Sequence, residues 1–296
     1  MTTLRDSLSN IRDSFYHINS STNSTCPLKP AQWCIHNSAG TPFCIQKPSL
    51  IPTCILALLI GLICSKRIAR LPGKFSSRYY YQTAFFLYGI MMTSAGILHC
   101  FIGDQVKSST ISDGSGSFLQ LFVTVIDVGL TSNIAITILF CGLCDVNFLN
   151  PNSSITRILL FVIYFIVFFL WTCGLLFQWK WIFNILYVGI VSICGFTYLL
   201  TQLCIKANRR ALPILIVAGI YGAAGLAATT FAANRICSSE GPFWSLYIGP
   251  EFLWFLFSDI AMAFIYGYVV RVNQENPTDM RRYTIDLEKY PEKPLN

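Results

Sequence analysis

Four ionisable residues stand inside stretches of otherwise apolar sequence: His99, Asp127, Glu251 and Asp259. A charge at mid-bilayer costs about 2.5–3.5 kcal/mol on insertion scales, so an acid in such a stretch must be protonated, hydrated or bound to a cation. Apart from Arg157 at the edge of the fourth, no lysine or arginine lies within the apolar stretches to neutralise the three acids. With a helical rise of about 1.5 Å per residue, His99, Asp127 and Glu251 all fall towards one surface of the membrane. An imidazole and two carboxylates gathered there are a sound ligand set for zinc, with one position left for water. The favoured expectation is no cofactor, and zinc is the one candidate beside it. Asp259, two turns beyond Glu251, is a candidate proton carrier. The plainer alternative is hydrogen bonding between helices, with the acids bonded to Asn133, Asn184 or Ser258.

The elements that must position these residues follow from composition. The chain of 296 residues is 54% hydrophobic and only 12% charged, against about 25% charged in soluble domains. Its mean hydropathy is +0.55. A hydrocarbon core about 30 Å thick takes roughly 17–25 residues of helix, and seven runs come near that length. They are Ser49 to Cys64, Gln82 to Gly103, Phe118 to Leu143, Ile155 to Phe177, Trp181 to Leu203, Leu212 to Ala233, and a last run opening between Phe243 and Ile248 and ending at Val270. The predicted fold is all-α, a polytopic seven-helix membrane bundle. Only Gln178-Trp179-Lys180 separates the fourth and fifth runs, which predicts an antiparallel hairpin of helices.

Lysine and arginine set the orientation. They crowd the loop after the first run (Lys66, Arg67, Arg70, Lys74, Arg78), the loop after the fifth (Lys206, Arg209, Arg210) and the tail (Arg271, Arg281, Arg282). These belong in the cytosol, so the N-terminus is outside and the C-terminus inside. The net charge of +7 then reports orientation and points to membrane lipids as surroundings, with no nucleic acid among the partners. Three regions result: an outer segment over 1–48, the helical domain over 49–271 and a polar cytosolic tail over 272–296. Glycosylation acceptors at Asn19 and Asn23 fall in the outer segment, whereas the acceptor at Asn152 falls inside and should stay bare. Residues 1–19 lack the apolar core of a signal peptide, so the first helix is expected to direct insertion. The membranes of the secretory pathway, from endoplasmic reticulum and Golgi to vacuole and plasma membrane, all fit.

Cys26, Cys34, Cys44 and Cys237 lie in outer segments, where oxidised pairing is favoured; a bridge to Cys237 would tie the N-terminal segment across the helix ends. Cys141 and Cys144, a lone C-x-x-C at a helix end, are expected to be core or acylated cysteines. The sixth run carries small residues at four-residue spacing (Ala218 and Gly222; Gly219, Ala223 and Ala227), the pattern that lets backbones approach in lipid. It predicts a sixth helix in the middle of the bundle, or a seam for a homodimer or another membrane-protein partner.

Ser94-Ala95-Gly96-Ile97-Leu98-His99, Asp127 and Glu251-Phe252-Leu253-Trp254-Phe255 together resemble the CREST seven-helix superfamily of alkaline ceramidases, adiponectin and progestin receptors and myomaker-like proteins. The resemblance implies a seven-helix fold and, where the family's serine, acid and histidines are complete, a zinc site for hydrolysing lipid amides. Here the serine is five residues before His99, and Glu251 and Phe255 stand where the seventh helix would offer two histidines. Asp-Arg-Tyr and Asn-Pro-x-x-Tyr, the marks of rhodopsin-like receptors, are replaced by Cys144-Asp145-Val146 and Tyr266-Gly267-Tyr268. The favoured expectation is a non-catalytic receptor-like or membrane-organising protein. Its rivals are a zinc-dependent, ceramide-type amide hydrolase using His99, Asp127 and Glu251, and a proton-coupled or small-solute transporter using Asp127 and Asp259.

Overall fold

A computed structural model describes residues 32–36, 42–72, 77–102, 115–177, 179, 181–205, 209–230, 236 and 248–275. Asn19, Asn23, Cys26 and Cys237 lie outside the described residues.

The described chain opens with a departure from an all-helical fold. Strand β1 (Gln32–His36) pairs antiparallel with β2 (Pro42–Gln46), and the register sets Cys34 opposite Cys44. These two cysteines form a disulfide, so a bridge from either of them to Cys237 is excluded. The alternation of Trp33, Ile35, Phe43 and Ile45 with smaller or polar residues suits a short ribbon that could not stand alone in water, and the covalent link closes it. Alkylating the denatured protein without reductant is therefore expected to spare Cys34 and Cys44 while labelling Cys54, Cys100 and Cys173, as peptide mass spectrometry would read directly.

Seven helices follow: α1 (Leu50–Ala69), α2 (Arg78–Ile97), α3 (Ser115–Asp145), α4 (Ser154–Leu176), α5 (Ile190–Cys204), α6 (Leu212–Thr230) and α7 (Pro250–Glu275). A wide π turn over Leu98–Ile102 prolongs α2, and another over Phe183–Gly189 leads into α5. Counting the π turn over Phe183–Gly189 with α5, all seven are long and apolar enough to cross a membrane, and the protein is a multi-pass membrane protein. Helix ends obey local chemistry. Ser153 caps α4 by accepting from the Ile155 amide, and Pro250 and Glu251 open α7, where a missing amide and a negative charge are both favourable. Lys66 and Arg67, expected just beyond the first helix, extend it instead, because cations suit the last turn. Likewise α7 runs past residue 271 into the expected tail.

Packing differs from expectation at two points. The middle of the bundle belongs to α3, 67% of whose spanning window is buried, against 22% for α6. The small residues of α6 divide between faces: Ala218, Gly225 and Ala228 are buried, whereas Gly219 and Ala223 are exposed. Gly225 receives Trp254 and Phe257 of α7, while a side chain at Gly219 or Gly222 would meet open space. Small residues thus serve one helix neighbour rather than a central position. Secondly, α4 and α5 do not form a paired hairpin. They meet near their link, where Gly174 faces Ile182 and Trp171 faces Phe183, and then both lean on α3. The Ser132 hydroxyl donates to the Leu186 carbonyl at 2.8 Å and accepts from Trp171 Nε1 at 3.2 Å.

A close backbone approach joins α1 and α2 through Gly61 and Gly89. Helix α7 packs on α6 and α1, and α3 on α2 and α5, so six helices form a closed ring. Helix α4 lies outside it against α3, displaying Ile155, Phe161, Phe165 and Phe169 on a face suited to lipid.

Candidate functional site

The ends of the bundle are distinguished by what they carry. At the hairpin end lie the start of α1, the π turn after α2 and the start of α7; at the far end lie the starts of α2 and α4 and the finish of α3, α5 and α7. Polar side chains join helices at three depths between them.

At the hairpin end, Lys47, in the three-residue link between β2 and α1, donates from Nζ to Glu251 Oε1 at 2.7 Å. Lys47 and Glu251 are 27% and 38% exposed, so the pair is open to solutes. The Lys47 backbone has φ 45°, in the left-handed region that costs a non-glycine residue roughly 1–2 kcal/mol. Its carbonyl accepts from the Leu50 amide at 2.9 Å and from Cys100 Sγ at 3.7 Å. One residue is thereby tied to α1, to the π turn after α2 and to α7. Phe255 lies one turn below Glu251 on the same face, and the His99 ring meets it edge-on at 5.9 Å.

At mid-depth, Tyr88 of α2 donates to Asp259 Oδ1 of α7 at 2.6 Å. Both residues are buried, and Asp259 Oδ2 has no hydrogen-bond partner among the described residues.

The far end holds the largest polar network. Asp145 accepts from the Ser77 hydroxyl through Oδ1, and from Tyr81 at 3.1 Å and Gln202 Nε2 at 2.9 Å through Oδ2. Tyr81 also shares a 2.7 Å hydrogen bond with Tyr198, and Tyr268 donates to Gln202 Oε1 at 2.6 Å. The chain therefore runs from the loop before α2, through α2, α3 and α5, into α7. Every donor residue in it is buried, with Ser77 at 0% exposure. A carboxylate with three donors satisfies the rule that buried polar groups be paired.

The sequence-predicted residues are only partly brought together. His99 and Glu251 share the hairpin-end cluster with Lys47. Asp127, half-buried in α3, has no side-chain hydrogen-bond partner among the described residues, and its carbonyl accepts from Thr131. Among the described residues no three of His, Cys, Asp and Glu stand close enough to hold a metal ion. With Glu251 bonded to Lys47, His99, Asp127 and Glu251 are not gathered as a zinc ligand set among the described residues. Asp259 takes Tyr88 rather than Asn133, Asn184 or Ser258; Asn133 is buried with neither amide atom bonded, and Asn184 is exposed. Cys141 and Cys144 are buried free cysteines. Sequence reasoning missed Lys47 as a partner for Glu251 and Asp145 as the far-end hub. Lys47 had a readable signal, since it directly precedes the first helix at the end where Glu251 begins the last. Comparison with known proteins finds no family model, no curated protein and no solved structure that matches the chain.

Proposed function

We propose that the protein is a receptor-like, non-catalytic seven-helix membrane protein in which α7 relays a change at the hairpin end to the far end. One observation carries this reading: α7 is fastened by Glu251, Asp259 and Tyr268 at three depths spanning about 25 Å of helix, each time to a different neighbour. A shift of its first turn must strain or release the contacts below, because packed interiors pass displacement on rather than absorb it.

In this reading the hairpin end faces away from the cytosol and the far end faces it. Lys66, Arg67, Arg70, Arg78, Arg157, Arg209, Arg210 and Arg271 all lie at the far end, as cytosolic loops require, and the Cys34–Cys44 disulfide at the hairpin end suits an oxidising compartment. A membrane of the secretory pathway meets both conditions.

The test is hydrogen exchange on the Glu251→Gln protein in nanodiscs. A half-exposed ion pair contributes up to about 1 kcal/mol, so far-end amides over 77–81 and 264–270 should exchange about two- to fivefold faster than in wild type. Helix α4, outside the ring, should not change. Acceleration confined to residues 42–55 and the first turn of α7 would sink the relay.

A further inference from the structure

Among the described residues, the Lys47–Glu251 contact joins positions 204 residues apart, and its geometry is that of a ligand in a site rather than of two surface side chains meeting. The cation arrives on a short strap between a disulfide-closed hairpin and a transmembrane helix. Its backbone is held in the left-handed region, where lysine is unfavourable, and such strain persists only where surrounding contacts enforce it. The Lys47 carbonyl is held by the Leu50 amide of α1 and by Cys100 Sγ of the π turn after α2. The receiving side has its own logic. Glu251 sits in the first turn of α7, where the helix dipole favours its anionic form. Beneath it, buried Phe255 meets the His99 ring edge-on, which backs the carboxylate with aromatic side chains. The pair remains about one-third exposed, so an external cation reaches it without unfolding the bundle.

We propose that Glu251, Phe255 and His99 form a recognition site for a primary alkylammonium ligand, which the chain's own Lys47 occupies as a tethered competitor. The site requires one carboxylate within reach, and Lys47 shows that a primary ammonium on an alkyl chain reaches it. A free amine enters by displacing the strap, so the strained Lys47 backbone relaxes when the ligand binds. The proposal deepens the receptor-like reading and rests on it for what displacement does at the far end, but not for binding itself.

The test uses the full chain in nanodiscs with n-propylammonium chloride as probe and sodium chloride at equal ionic strength as reference. Lys47→Asn removes the tethered cation while asparagine tolerates the left-handed backbone, so lost charge is separated from lost conformation. Propylammonium should raise the melting temperature of Lys47→Asn at concentrations at least tenfold lower than wild type needs, and should leave Lys47→Asn/Glu251→Gln at its sodium value. Equal shifts in the single and double variants, or no difference between propylammonium and sodium in the single variant, overturn the site. If Lys47→Asn does not fold, wild type decides: propylammonium, and not sodium, should speed amide exchange over 42–50, and its failure to do so overturns the site. Binding that leaves exchange over 77–81 unchanged supports the amine site and refutes the relay, which keeps the two failures distinct.

Discussion

Asp145→Ala is expected to destabilise the bundle by about 3 kcal/mol, read as unfolding free energy by steric trapping in bicelles. Hydrogen bonds to a charged acceptor contribute about 1.5–3 kcal/mol each, and a donor left buried and unpaired costs a further 1–3. Asp145 accepts from Ser77, Tyr81 and Gln202, so a simple sum would be larger. Two factors reduce it. Tyr81 keeps its bond to Tyr198, and hydrogen bonds between membrane helices average only about 0.6 kcal/mol because the separated helices find other partners. Asp145→Asn keeps one acceptor oxygen in place and should lose about half as much. A loss below about 0.5 kcal/mol for alanine would mean that the far-end network contributes little and that α2, α3, α5 and α7 are held there by packing alone.

Gly61→Ala and Gly89→Ala touch one contact and should give opposite results. A methyl built on Gly61 lies 2.7 Å from the Gly89 Cα and nitrogen and from the Phe85 carbonyl oxygen, all of them backbone atoms that cannot rotate away. Helices α1 and α2 must separate to admit it, at about 1–3 kcal/mol for an overpacked interior. A methyl on Gly89 finds its nearest atoms at 3.5 Å, an ordinary van der Waals distance, and should cost little. The same unfolding measurement decides. Equal costs for the two substitutions would show that the helix pair can slide, and that the close approach at Gly61 is not fixed.

The seven helices were legible because hydrocarbon imposes length and exclusion of charge on each span separately. Positions within the bundle were less so, since they depend on which faces meet. Small residues in α6 read as a central helix, yet they only admit Trp254 and Phe257 of α7; the pattern records close approach and says nothing of how many neighbours approach. Asp145 left no sequence signal. It follows the last apolar residues of α3, where an acid is expected in water, and its donors come from positions 57–68 residues away. Lys47 was legible in principle, but a search for cations within the spans passes over one that reaches in from a connecting link. His99 and Glu251 were identified by residue type and by depth along their helices, and both lie at the hairpin end, where Lys47 takes Glu251.

The ring closes where α7 meets α1, and that meeting has a consequence for biosynthesis. A chain inserted from its N-terminus brings α1, α2 and α3 into the membrane early, while α7 arrives about 200 residues after α1. Until then the Tyr88 hydroxyl and the Lys47 ammonium lack the carboxylates they bond in the finished bundle, and the face of α1 that packs on α7 has not met its neighbour. The seventh helix is the one that satisfies the first. A chain stopped before α7 therefore carries its own mark of being unfinished.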